Sequence, residues 1–199
     1  MTGVAELIGG SGALVLVASV LGARRSTIAP LEQRAFRVVN GLPDALYWPF
    51  WVPMQLGNLV VGTLVGLGAA LITRDGGLAL AVLGAVVLKL ITERVLRRWL
   101  ASYLEVRQRP GTSEPNARLR GADVPTTGPS FPSGHVILVA AVGTVVASGS
   151  SLGLALAPLA ICVVVALGRV YVGAHNPLDV TAGLGMGMLV GAVMSIPLH

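Results

Sequence analysis

The stretch "PSFPSGHVILVAAVGTVVA", residues 129–147, joins a lead of Pro, Ser, Gly and His to an unbroken apolar run. The run reads as a buried helix, and Ser133, Gly134 and His135 stand where its first turn begins. The rest of the chain has the same apolar character. Of its 199 residues 54% are hydrophobic, 12% are charged and 26 are glycine, and the mean hydropathy is +0.79. That is too apolar for an ordinary soluble domain. An integral membrane protein is expected, because apolar runs of roughly 18–25 residues cross a hydrocarbon core about 30 Å thick as helices.

Six crossings are expected, at about 4–23, 47–73, 77–98, 134–149, 152–172 and 177–197. The fourth and fifth are divided only by "SGSS", which reads as the tight turn of a helical hairpin. The expected fold class is therefore all-α: a polytopic membrane helical bundle of about six transmembrane helices plus an interfacial amphipathic helix, one domain over residues 1–199. The amphipathic helix comes from residues 24–46, where Leu31, Ala35, Val38 and Val39 share one helical face and Glu32, Arg34 and Arg37 lie elsewhere. Tyr47, Trp48, Phe50 and Trp51 then form an aromatic belt at headgroup level.

Arg24 and Arg25 follow the first apolar run instead of preceding it, so that run is expected to be a retained helix and not a signal peptide. Cys162 is the single cysteine, which excludes an intrachain disulfide. No internal repeat supports a transporter built from two related halves. The expected location is the cell membrane, multi-pass, and no nucleic-acid partner is expected.

The longest polar segment, residues 101–130, is basic through Arg107, Arg109, Arg118 and Arg120. Such a loop can simply neutralise anionic headgroups. The placement of other polar residues adds more. His135 and His175 each stand at the start of an apolar run with two crossings between them, so they share a side of the membrane with Arg109 and Arg169. Ionisable groups at membrane helix ends are costly, and here they gather on one side.

In "LGRVYVGAHNPLDV", residues 167–180, Asn176 and Pro177 read as N-cap and first helical position. Asp179 then falls one turn beyond His175. A carboxylate against one imidazole nitrogen fixes the tautomer and leaves the other nitrogen able to attack. Ser133 can cap the fourth span, whose first amides form an anion site that Gly134 leaves open to a ligand. Arg109 and Arg169 add guanidinium forks suited to phosphate oxygens. The constellation reads as a phosphate grip with one histidine to attack and one to protonate. A metal site on His135, His175 and Asp179 is an alternative reading of the same residues.

The segments "PSGH", residues 132–135, and R-x5-H-x3-D, from Arg169 through His175 to Asp179, resemble the second and third signature motifs of the type 2 phosphatidic acid phosphatase family. The resemblance implies a lipid phosphate phosphatase acting on a polyprenyl phosphate or diphosphate, or on a phosphatidate-like lipid. It implies that His175 is the nucleophile that forms a phosphohistidine, that Asp179 orients it, and that His135 protonates the leaving oxygen and later activates water. Ser133, Gly134, Arg109 and Arg169 would hold the phosphoryl group, with no metal and no other cofactor. Because His135 must change protonation state between the two steps, a bell-shaped rate profile is expected.

Two positions depart from the family pattern. The first motif has a lysine seven residues before Arg-Pro; here Arg109-Pro110 is present but Ser102 stands at the lysine position. The third motif begins Ser-Arg, and here Gly168 precedes Arg169. Arg98, one turn before Ser102, and Arg107 are the candidate replacements for the missing cation. Lys89 lies deep in its span and is read as a partner of Glu93. A lipid-phosphate binding or transport protein that kept the grip without turnover is the competing reading. By crossing parity Arg24, Arg25, Arg34 and Arg37 share the site's side, which under the positive-inside rule is the cytoplasmic face.

Overall fold

In a hydrocarbon environment the backbone has no water to bond to, so long Leu, Val, Ala and Gly stretches satisfy their amides internally as helices. The computed structural model describes residues 2–24, 27–103, 107–122, 124–150 and 152–196, apart from the side chains of residues 2, 3, 100–103, 152 and 153. Arg25 and the Ser102 side chain, both used above, lie outside the described residues. The helices are α1 (Thr2–Gly22), α2 (Pro30–Asn40), α3 (Tyr47–Met54), α4 (Leu59–Thr73), α5 (Gly76–Tyr103), α6 (Pro110–Ser113), α7 (Gly134–Ser148), α8 (Leu152–Tyr171) and α9 (Pro177–Ser195).

The chain is an all-helical membrane bundle. Helix stands in each of the six expected stretches. By length and composition, three described segments can cross a membrane, Val4–Gly22, Leu154–Tyr171 and Pro177–Ser195. A fourth is formed if the pair Asp44–Gly57 and Leu59–Thr73, bent by 78°, counts as one.

That bend corrects the expectation of one continuous span over 47–73. Pro53 lies within α3, a tight turn occupies Gln55–Gly57, and Asn58 starts a new helix by accepting hydrogen bonds from the amides of Val60 (3.0 Å) and Val61 (3.4 Å). A proline followed by a strong N-cap ends one helix and begins another.

The helix expected at the interface forms as α2, but the face it turns inward is not the expected face of Leu31, Ala35 and Val38. Leu31 and Val38 are 78% and 71% exposed, whereas Glu32, Phe36 and Asn40 are buried. Lipid is the apolar solvent outside the bundle, and only the interior offers polar partners. Asn40 Nδ2 donates to the carbonyls of Arg118 and Tyr171, both at 2.9 Å, and Glu32 meets Arg107.

Helix α9 runs between α1 and α7. A Cβ at Gly185 would lie 2.6 Å from the carbonyl oxygen of Gly12 in α1, and one at Gly187 would lie 2.5 Å from that of Ile137 in α7. Small residues thus bring three backbones together. Helix α5 packs on α7 through Val82, Ala85, Leu138 and Ala141. Helix α8 packs on α7 where Cys162 Sγ donates to the Val139 carbonyl at 3.3 Å. The N-termini of α7 and α9 and the C-termini of α5 and α8 therefore face one end.

The loop from α5 to α7 closes over that end. Ser130 N and Oγ donate to the Arg107 carbonyl at 3.0 and 3.1 Å. Arg120 donates to the carbonyls of Asn40, Tyr171 and Leu42 and pairs with Asp44 at 2.8 Å. At least part of the loop's basic character is therefore a fastening to α2, to the connection between α2 and α3, and to α8, distinct from headgroup neutralisation.

Candidate active site

His175 stands in the connection between α8 and α9, and the start of α9 places its partner. Asn176 is the N-cap, Pro177 follows, and Asp179 Oδ2 accepts the Asn176 amide at 2.8 Å. His175 Nδ1 lies 3.9 Å from Asp179 Oδ2, within ion-pair range but longer than a hydrogen bond. Behind the carboxylate, Arg107 Nε donates to Asp179 Oδ1 at 3.2 Å, and Arg107 Nη2 donates to Glu32 Oε1 at 2.6 Å. Glu32 Oε1 also accepts the Leu178 amide at 3.0 Å. Asp179 is thus held from its own helix, from the loop and, through Arg107, from α2.

Burial lowers the His175 pKa against the opposing pull of Asp179, with Arg169 and Arg109 adding to the depression. The imidazole is therefore neutral at ordinary pH. Arg109 donates from Nη1 to the Ala174 carbonyl at 2.9 Å. Its guanidinium pKa is lowered by burial and by neighbouring Arg97, as befits cations crowded where an anion would relieve them.

A pocket of about 300 Å³ opens in front of His175. His135, Gly134, Arg109 and Arg169 line it with His175, so five of the expected residues converge. Lys89, Glu93 and Arg97 of α5 line it as well, with Gly57, Asn58 and Leu59 at the α3–α4 break. The site is tight there: a Cβ at Gly57 would lie 2.8 Å from His135 Cβ.

Ser133 occupies the N-cap of α7, yet its side chain makes no capping bond, and its buried Oγ meets no hydrogen-bond partner. Its amide donates to the Asp179 carbonyl at 3.0 Å, tying the α7 and α9 starts together. Arg98 is exposed on a different face of α5 from Lys89, Glu93 and Arg97. Arg107 is engaged by Glu32 and Asp179 and does not line the pocket. At Gly168, a Cβ would lie 2.8 Å from Met54 Cγ, so α3 fills the space that a serine would need. Among the described residues, no three His, Cys, Asp or Glu side chains cluster as metal ligands.

Lys89 and Glu93, expected from the sequence to be a structural pair, thus belong to the pocket lining together with Arg97, which no sequence motif singles out. Their i, i+4, i+8 spacing within an otherwise apolar span was the available signal.

The sequence model of the PAP2 superfamily matches residues 76–197, more than half of the chain. The chain belongs to the PAP2 superfamily. Among solved structures it is similar to Aquifex aeolicus LpxE, with a TM-score of 0.72 and 23% identity over 83% of this chain and 95% of that one. It is also similar to a transmembrane PAP2-type phosphatidylglycerolphosphate phosphatase from Bacillus subtilis, with a TM-score of 0.64 and 20% identity over 94% and 93% of the two chains. These likenesses establish the fold. No curated protein matches the sequence.

Proposed function

We propose that this protein is a membrane lipid phosphate phosphatase of the cell membrane that hydrolyses a polyprenyl phosphate or diphosphate, or a phosphatidate-like lipid, through a phosphohistidine. The observation that carries this reading is the convergence of His175, His135, Arg109 and Arg169 on one pocket, with Asp179 behind His175. Membership of the PAP2 superfamily supports the phosphatase class.

With Nδ1 turned towards Asp179, His175 attacks phosphorus through Nε2. An N–P bond forms as the bond to the lipid oxygen breaks, and His135 supplies the proton that oxygen takes up. His135, now neutral, accepts a proton from water as its oxygen attacks phosphorus; the N–P bond breaks and phosphate leaves. Arg109, Arg169 and the first amides of α7 stabilise the equatorial oxygens. The lipid chains have a place beside the pocket. An apolar groove of about 270 Å³ runs along Leu56, Gly62, Gly66, Val139, Val142 and Ile161, and Leu56 and Val139 adjoin the pocket residues Gly57 and Leu138.

The test is a panel of purified lipid phosphates and diphosphates, with released phosphate as readout and a chelator present. Turnover that persists with chelator and is abolished in His175→Ala is expected. Asp179→Asn should retain a small residue of activity. Substantial turnover in His175→Ala defeats the covalent route, and saturable lipid-phosphate binding without hydrolysis supports the binder instead.

A further inference from the structure

Lys89, Glu93 and Arg97 line the pocket from successive turns of α5. Lys89 Nζ lies 2.6 Å from Glu93 Oε2, and Arg97 Nη2 lies 3.0 Å from Glu93 Oε1. The same Nη2 donates to the Pro132 carbonyl at 3.0 Å, so Arg97 reaches across to the segment that begins α7. Lys89 is buried at 7% exposure, where an ammonium needs a partner. A structural pair would need only one cation. Here one carboxylate is held by two, and it is seated against Gly134: a Cβ there would lie 3.1 Å from Glu93 Oε2 and closer still to Oε1. Gly134 is the first residue of α7, whose opening amides have no partner within the helix. A carboxylate on that spot stands where an anionic ligand would bind.

We propose that Lys89 and Arg97 are the phosphate-binding cations that serve in place of the lysine absent at Ser102, and that Glu93 keeps the anion position at the α7 N-terminus until a substrate phosphate displaces it. The inference rests on the phosphatase reading of the same pocket. With Glu93 swung aside, Lys89, Arg97, Arg109 and Arg169 all face the phosphate. With it in place, buried Lys89 and partly exposed Arg97 remain compensated while the pocket is empty. Glu93 is a positioning residue in this scheme, and Lys89 and Arg97 bind substrate.

The experiment uses the full chain in lipid nanodiscs, with inorganic phosphate as probe. Two readouts are taken: competitive inhibition of turnover, and the rise in thermal midpoint that a ligand of the folded state produces. Glu93→Gln should bind phosphate several-fold more tightly than wild type. Lys89→Met and Arg97→Met should each weaken phosphate binding roughly tenfold or more, as loss of a charge-assisted contact does, and raise KM in step. Should Lys89→Met fail to fold, Lys89→Met combined with Glu93→Gln removes both charges of the Lys89–Glu93 pair together. That variant should bind phosphate at least roughly tenfold more weakly than Glu93→Gln alone. Equal phosphate binding in those two variants, or no tightening in Glu93→Gln, overturns the proposal while leaving the phosphatase intact. A wild-type protein that releases no phosphate from any lipid but is stabilised by phosphate in a Lys89-dependent way defeats the phosphatase reading and supports the anion site.

Discussion

His135 and His175 carry the same side chain into different surroundings, and their assigned roles separate on that basis. His175 sits beside a braced carboxylate, whereas His135 lies in the first turn of α7 against Gly57 at the pocket wall. If His135 supplies the leaving-group proton, His135→Ala should slow an alkyl phosphate far more than an activated aryl phosphate, since only the former needs the proton. Equal losses would remove that role. The pH dependence tests His175. Because burial depresses its pKa, protonation should begin to silence it only below the ordinary imidazole value of about 6.5. The acid limb of kcat/KM for an aryl phosphate should therefore lie below that value. Asp179 opposes the depression, so Asp179→Asn should move the limb to still lower pH. A limb that moves towards neutrality would contradict the assigned pairing. These residues were legible in the chain because one helical turn joins His175 to Asp179. Arg107 was legible only as a candidate phosphate cation and not as the brace of Asp179, since its partner Glu32 is 75 residues away and nothing local says which loop arginine meets which carboxylate.

Helix α9 shows how the framework holds those groups. Its glycines meet α1 on one side and α7 on the other, so added volume has nowhere to go. Gly187→Ala would place a Cβ 2.5 Å from both the Ala140 Cβ and the Ile137 carbonyl. It should cost about 1–3 kcal/mol as overpacking. Gly10→Ala, where nothing lies within 4 Å of the added carbon, should leave thermal unfolding in detergent almost unchanged. Helix α2 gives a second case. Glu32→Ala leaves the buried Arg107 guanidinium with Asp179 as its remaining carboxylate partner. It should lower stability by on the order of 3 kcal/mol and weaken turnover by loosening Asp179. The existence of both helices was readable, α9 from hydropathy and α2 from the helical spacing of its apolar residues. Their rotation was not: a soluble-protein rule turns Leu31 and Val38 inward, and a lipid surround turns them out.

At the scale of the whole molecule, the distribution of charge bears on which membrane face the pocket meets. The pocket end carries Arg24, Arg34 and Arg37 as well as the loop arginines, while the other end offers Arg74 beside Asp75. Positive-inside ordering therefore predicts a cytoplasmic site. Single cysteines at Thr112 and Asp75, introduced after Cys162 is replaced, should be labelled by an impermeant thiol reagent from opposite sides. Labelling of position 112 only from outside would reverse the assignment. The amino-acid sequence by itself determined the membrane setting, the all-helical class and the motif residues on one side, because hydropathy, helical periodicity and capping act over a few residues. Tertiary structure alone decided that the second span breaks at Asn58, that α2 turns its carboxylate inward, and that α5 presents Lys89, Glu93 and Arg97 to the pocket. Each of those depends on which face of a helix meets its neighbours across the bundle, and that choice is made by packing and by the scarcity of polar partners in lipid.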